Sequence, residues 1–109
     1  DIRKMNIKGK MLVTTKAEVK TIPLAEIRQY ARKSCGFCDD FSSELADVSL
    51  GGLGLENWTF AVIRTNQGEE LFERAEKAGV IKTRLVEKDE PALNLLVKLS
   101  SKKRRTANE

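Results

Sequence analysis

Histidine is absent from this 109-residue chain, and cysteine occurs only twice, at Cys35 and Cys38. Without His, catalytic triads and His-ligated zinc sites are excluded within these residues. Two thiols alone also fall short of a four-ligand metal centre. Proline occurs twice, tryptophan once, and aromatics make up 6% of the chain. No apolar run approaches the roughly 18–20 residues of a membrane span, and no secretory signal pattern is present. A chain of this size has room for one domain rather than two with separate cores. It opens on Asp1 rather than Met, so the expectation is a piece of a longer parent.

What is present is an ordinary globular balance, 40% hydrophobic and 33% charged. The net charge of +4 suggests a nucleic-acid partner until its location is considered. Lys102, Lys103, Arg104 and Arg105 against Glu109 account for most of it. Residues 1–101 are nearly neutral, which leaves no basic binding face there. Residues 102–109 read as a basic, disordered tail after an amphipathic helix.

Three short strands are expected first, Ile2–Ile7, Lys10–Thr14 and Val19–Ile22, an antiparallel meander with turns at Lys8-Gly9 and Lys16-Ala17-Glu18. Pro23 opens a short helix with Leu24, Ile27 and Ala31 on one side. Residues 33–43 have no clear period and read as a functional loop. Residues 46–50 alternate as a half-buried strand ending at Gly51-Gly52-Leu53-Gly54, a tight strand-to-strand connection. Residues 58–64 are apolar on both faces and read as a central strand, with Trp58 in the core. Asn66 and Glu69 resemble a capping box for a helix with Leu71, Phe72, Ala75 and Ala78 inward, stopping at Gly79. Val80–Val86 is expected as a strand, so that 58–86 forms a βαβ crossover. Asp89 then caps a last helix with Ala92, Leu95, Leu96 and Leu99 inward. The predicted fold is α+β over residues 1–101: a mixed sheet with an N-terminal antiparallel meander and about three helices packed on it.

Cys35-Gly36-Phe37-Cys38 has the spacing shared by zinc knuckles, iron–sulfur sites and dithiol catalysts. A dithiol catalyst fits poorly, because Asp39 and Asp40 set negative charge beside the thiols and disfavour the reactive thiolate. A metal-ligand pair and a structural disulfide both remain open on spacing alone. Asp40 is expected to cap the segment that follows it. Gly51, Gly52 and Gly54 permit close backbone approach to a phosphate, though on the residues alone a tight strand-to-strand connection is the favoured reading. Arg64 and Thr65 end the central strand, where ligand contacts are common in α/β layers. A surface carboxylate is the alternative partner for Arg64.

Three motifs occur in order: Cys35-x-x-Cys38-x-Asp40-Phe41, Ala46-Asp47-Val48-Ser49-x-Gly51 and Val62-Ile63-Arg64-Thr65-x-x-Gly68. In this order and at these separations they resemble the C-terminal domain of the beta subunit of coenzyme F420 hydrogenases and dehydrogenases. The Ile2–Ile7 stretch, Lys8-Gly9-Lys10 and Ile22-Pro23-Leu24 are similar to it as well. The resemblance implies an oxidoreductase parent that carries FAD and a [4Fe-4S] cluster and passes electrons between them and coenzyme F420. It implies that Cys35 and Cys38 are cluster ligands and that Gly51, Arg64 and Thr65 contact the flavin or the deazaflavin coenzyme. No residue of the chain is expected to be catalytic, and the isolated domain is expected to be inactive. Implied partners are the N-terminal domain of the same parent and a hydrogenase, formate dehydrogenase or membrane dehydrogenase subunit. No nucleic acid is among them. The implied location is cytoplasmic, free or within a membrane-associated complex. The rival reading is a small zinc- or nucleic-acid-binding module using the cysteine loop and the basic tail.

Overall fold

The computed structural model describes residues 1–107. The chain forms two compact units, Asp1–Gly36 and Phe37–Glu109, where the sequence suggests one domain over 1–101. The fold is α+β, with three α-helices and five strands among the described residues.

The first unit is the predicted meander. Strands β1 (Ile2–Ile7), β2 (Lys10–Thr15) and β3 (Val19–Pro23) pair in that order, both pairs antiparallel. Gly9 makes the first turn with φ +69°, a region open to glycine at no steric cost. The second turn is built by Thr15, whose hydroxyl accepts from the backbone N–H of Glu18 at 3.1 Å. The register places Met5 opposite Val13, and Ile7 and Ile22 opposite Met11, so these five apolar residues share one face of the sheet with Lys20. Helix α1 (Leu24–Arg28) follows Pro23 and is shorter than its apolar spacing suggests. Tyr30 and Ala31 bond back to Ile27 and Arg28, the i→i+3 pattern that tightens and ends a helix, so Ala31 lies beyond α1 and is exposed.

The second unit holds a two-stranded antiparallel sheet, β4 (Val48–Gly51) with β5 (Phe60–Ile63). Both strands are shorter than expected. The sheet is separate from the meander and neither is parallel, so the mixed sheet is replaced by two antiparallel ones. The predicted strand Val80–Val86 and its βαβ crossover are absent as well. Residues 81–85 are irregular, held by Arg84 stacking 4.1 Å from the centre of the Trp58 ring and pairing with Asp89. Apolar alternation alone did not supply a strand partner for them.

Helix α2 (Asn66–Lys77) begins as its chemistry requires. The N-cap is Thr65 rather than Asn66: its hydroxyl accepts from the Gly68 N–H at 3.1 Å. Its end is a Schellman motif, with Gly79 at φ +72° and N–H bonds from Gly79 to Glu76 and from Val80 to Ala75. Phe72 and Ala75 turn inward, whereas Leu71 is exposed. Helix α3 (Glu90–Ala107) buries Ala92 and half-buries Leu96 and Leu99. It continues through residues 102–107, expected as a disordered tail; residues 108 and 109 lie outside the described residues. The run Lys102 to Arg105 is thus the basic last turns of a helix, where cations complement the helix dipole. No helix among the described residues is long and apolar enough to cross a membrane.

Candidate functional site

The boundary between the two units falls between the cysteines. Cys35 lies on a 3₁₀ turn, Lys33–Gly36, that closes the first unit, and Cys38 is the second residue of the next; both are exposed. The Cys38 thiol donates to the Asp40 carbonyl at 3.5 Å. The Asp40 carboxylate accepts from the Glu44 N–H at 3.1 and 3.2 Å, the capping role its position suggests. Glu44 in turn pairs with Arg104 on α3. Phe37, between the two cysteines, is 80% exposed.

Arg64 follows β5 directly, and its backbone N–H donates to the Asp47 carbonyl at 2.9 Å. Its guanidinium is half-buried and donates through Nη1 to the Ser49 hydroxyl at 2.6 Å. Through Nη2 it donates to the Ser42 hydroxyl at 2.9 Å and the Ser42 carbonyl at 3.1 Å. Its partners are therefore hydroxyls and a carbonyl rather than a surface carboxylate. Thr65 is committed in the same way, its hydroxyl donating to Asp47 Oδ1 at 2.5 Å while it caps α2.

These bonds explain why the motifs travel together. The second and third motifs meet at Asp47, which receives Arg64 on its carbonyl and Thr65 on its side chain. Gly68 approaches the same backbone so closely that a Cβ there would sit 2.4 Å from the Asp47 oxygen. Ser49 shares a sheet face with Val62, its register partner, and hence with Arg64. That parity was available in the sequence. Ser42 carried no such signal, because it lies on an irregular segment.

Beside this cluster is an apolar cavity of about 320 Å³ between the β4–β5 face and α3. Phe41, Phe60, Val62, Leu96 and Leu99 line it together with Ser42, Ser49 and Gly51. Gly51 has open space where a Cβ would project. On the other side, a cavity of about 240 Å³ is walled by Trp58, Phe72 and Ile63 and by Arg84, which donates to both carboxylate oxygens of Asp89 at 2.8 and 2.6 Å. Trp58, expected in the core, is half-buried under Arg84.

As metal donors, Cys35 and Cys38 have the right chemistry for iron, being soft and exposed. Among the described residues no group of three or more Cys, Asp or Glu could hold a metal ion.

Comparison with known proteins places these features in a family. Residues 1–89 match the family model for the C terminus of the coenzyme F420 hydrogenase/dehydrogenase beta subunit. The coenzyme F420 hydrogenase subunit beta of Methanothermobacter thermautotrophicus is 39% identical over 99% of this chain and 39% of its own length. The F420-dependent formate dehydrogenase subunit beta of Methanocaldococcus jannaschii is 33% identical over 86% of this chain and 26% of its own length. Among solved structures, a chain of the F420-reducing [NiFe] hydrogenase complex from Methanosarcina barkeri matches with TM-score 0.86 and 36% identity. That match covers 98% of this chain and 38% of the other. The chain thus spans about two fifths of the hydrogenase subunits it resembles.

Proposed function

The chain belongs to the C-terminal family of coenzyme F420 hydrogenase and dehydrogenase beta subunits, and from that premise we propose that it forms part of an electron-transfer flavoprotein subunit. In that subunit electrons pass between a [4Fe-4S] cluster, FAD and coenzyme F420. Cys35 and Cys38 supply two cluster thiolates, and the remaining ligands come from elsewhere in the subunit. The observation that carries this reading is the exposure of both thiols at ligand spacing, within a chain that matches the family over most of its length.

The apolar cavity beside β4 and β5 is the place we assign to the wall next to the flavin, with Gly51 among its lining residues. Arg64 and Thr65 support that wall through Ser49 and Asp47. The bound flavin supplies the hydride chemistry, so this chain needs no acid–base pair of its own. Ile7, Tyr30, Phe37, Leu45 and Leu50 are each more than 60% exposed, apolar surface suited to burial against further polypeptide. We assign that role to the N-terminal part of the same subunit, and partner subunits of a hydrogenase or dehydrogenase complex lie beyond it. The zinc- or nucleic-acid-binding alternative is not favoured: Arg104 of the basic run is engaged by Glu44, and the family match leaves that reading unsupported.

Anaerobic reconstitution of the full-length subunit with iron and sulfide tests the proposal. Cys35→Ser and Cys38→Ser are expected to remove or alter a cluster spectrum and slow deazaflavin reduction. Unchanged spectra and rates in both variants refute the ligand assignment.

A further inference from the structure

Residues 38–46 contain no helix or strand, yet they are tied down at successive points. Asp40 holds the Glu44 N–H, and Arg104 from α3 holds the Glu44 carboxylate. Between these ties, Arg64 grips Ser42 by its hydroxyl at 2.9 Å and its carbonyl at 3.1 Å. The same guanidinium is anchored on the sheet side by the Ser49 hydroxyl at 2.6 Å, and its backbone by the Asp47 carbonyl. One side chain therefore spans from the end of β5 to the segment leaving Cys38.

We infer that Arg64 is a positioning residue for Cys38: it fixes the outgoing end of the cysteine loop to the β4–β5 sheet and so sets the direction in which the sulfur is presented. This rests on the reading of Cys38 as a cluster ligand. The chemistry favours arginine because its planar fork directs separate N–H groups at Ser49 and at Ser42, which a lysine ammonium on a flexible stem does not reproduce. Half-burial shields these charge-assisted bonds from water, so they hold the loop more firmly than an exposed pair would. A ligand whose loop is held in one arrangement gives a cluster with one coordination geometry, and the surrounding bonds tune its potential.

The test uses the full-length subunit as wild type, Arg64→Gln, Arg64→Lys, Ser42→Ala and Cys38→Ser. Hydrogen exchange is read on the unloaded protein; the electron paramagnetic resonance spectrum and midpoint potential are read on the reconstituted one. In Arg64→Gln the amides of residues 39–46 exchange at least about tenfold faster, as expected for losing bonds to a charged donor. Its cluster signal broadens and its midpoint potential moves. Arg64→Lys recovers part of both effects. Ser42→Ala shifts both in the same direction by less, because the carbonyl contact survives, and it decides the matter if Arg64→Gln does not fold. Wild-type exchange and spectra in Ser42→Ala and in any folded Arg64→Gln overturn the inference alone. An unchanged cluster spectrum in Cys38→Ser overturns the ligand reading and this inference with it.

Discussion

Replacing Gly68 with alanine tests the packing that brings the second and third motifs together. Inside a helix, Gly→Ala ordinarily stabilises by about 0.5–1 kcal/mol, because alanine loses less backbone freedom on folding. Here the added Cβ would lie 2.4 Å from the Asp47 oxygen, 2.8 Å from its carbonyl carbon and 3.0 Å from Val48 Cγ2. Two of these atoms are backbone, so no side-chain rotation relieves the contact. Either α2 withdraws from the start of β4, or Asp47 moves. Both routes disturb the Asp47 carbonyl that accepts from the Arg64 N–H and the Asp47 carboxylate that accepts from Thr65. Overpacking of this kind costs about 1–3 kcal/mol, which outweighs the helix-propensity gain. The net expectation is destabilisation of about 1–2 kcal/mol, seen as a lower denaturation midpoint with an unchanged slope. Gly36→Ala is the internal control, since open space surrounds its Cβ position and its φ is not positive; it should be close to neutral. If Gly68→Ala is as stable as the parent or more so, the close approach does not constrain the fold and the structural reading of the third motif fails.

Other substitutions probe separate parts of the account. Thr65→Ala removes the α2 N-cap and should cost about 1 kcal/mol in a thermal melt, with Thr65→Ser retaining most of the stability. Gly79→Ala forces a side chain into the left-handed turn at φ +72° and should cost about 1 kcal/mol by denaturant titration; an unchanged midpoint contradicts the Schellman assignment. Arg84→Ala removes both the stack on Trp58 and the pair with Asp89, so the single tryptophan should shift its emission to the red while stability falls by about 1–2 kcal/mol. An emission maximum identical to the parent's refutes that contact.

The local structure was legible in the sequence wherever local chemistry decides it. The meander was readable from three short strand-like stretches separated by turn signals at Lys8-Gly9 and Lys16-Ala17-Glu18. The end of α2 was readable because only a residue tolerant of positive φ suits Gly79 there. The start of α2 misled by one residue, since Thr65 and Asn66 are both competent caps and only the Asp47 partner across the sheet selects Thr65. The expected strand at Val80–Val86 failed for a tertiary reason: with β4 and β5 pairing only each other, no described edge pairs with it, and Arg84 ties it to Trp58 and Asp89. At the candidate site the motif residues were visible, but their roles were not. In one dimension Arg64 reads either as a ligand-facing cation or as the partner of a surface carboxylate, and only the fold places Ser42, remote in the chain and on an irregular segment, under its guanidinium. The two cysteines stood out by their spacing, which left a metal-ligand pair and a structural disulfide both open. What stayed hidden was that the boundary between the compact units passes between them.

If Cys35 and Cys38 supply thiolates to a cluster in the longer subunit, its iron content depends on them. The measurement is iron and acid-labile sulfide per subunit after anaerobic reconstitution, for the wild type and for the Cys35→Ser/Cys38→Ser double variant. The double variant is expected to lose one [4Fe-4S] cluster's worth of both elements while remaining folded. Equal iron and sulfide in the two proteins would contradict it.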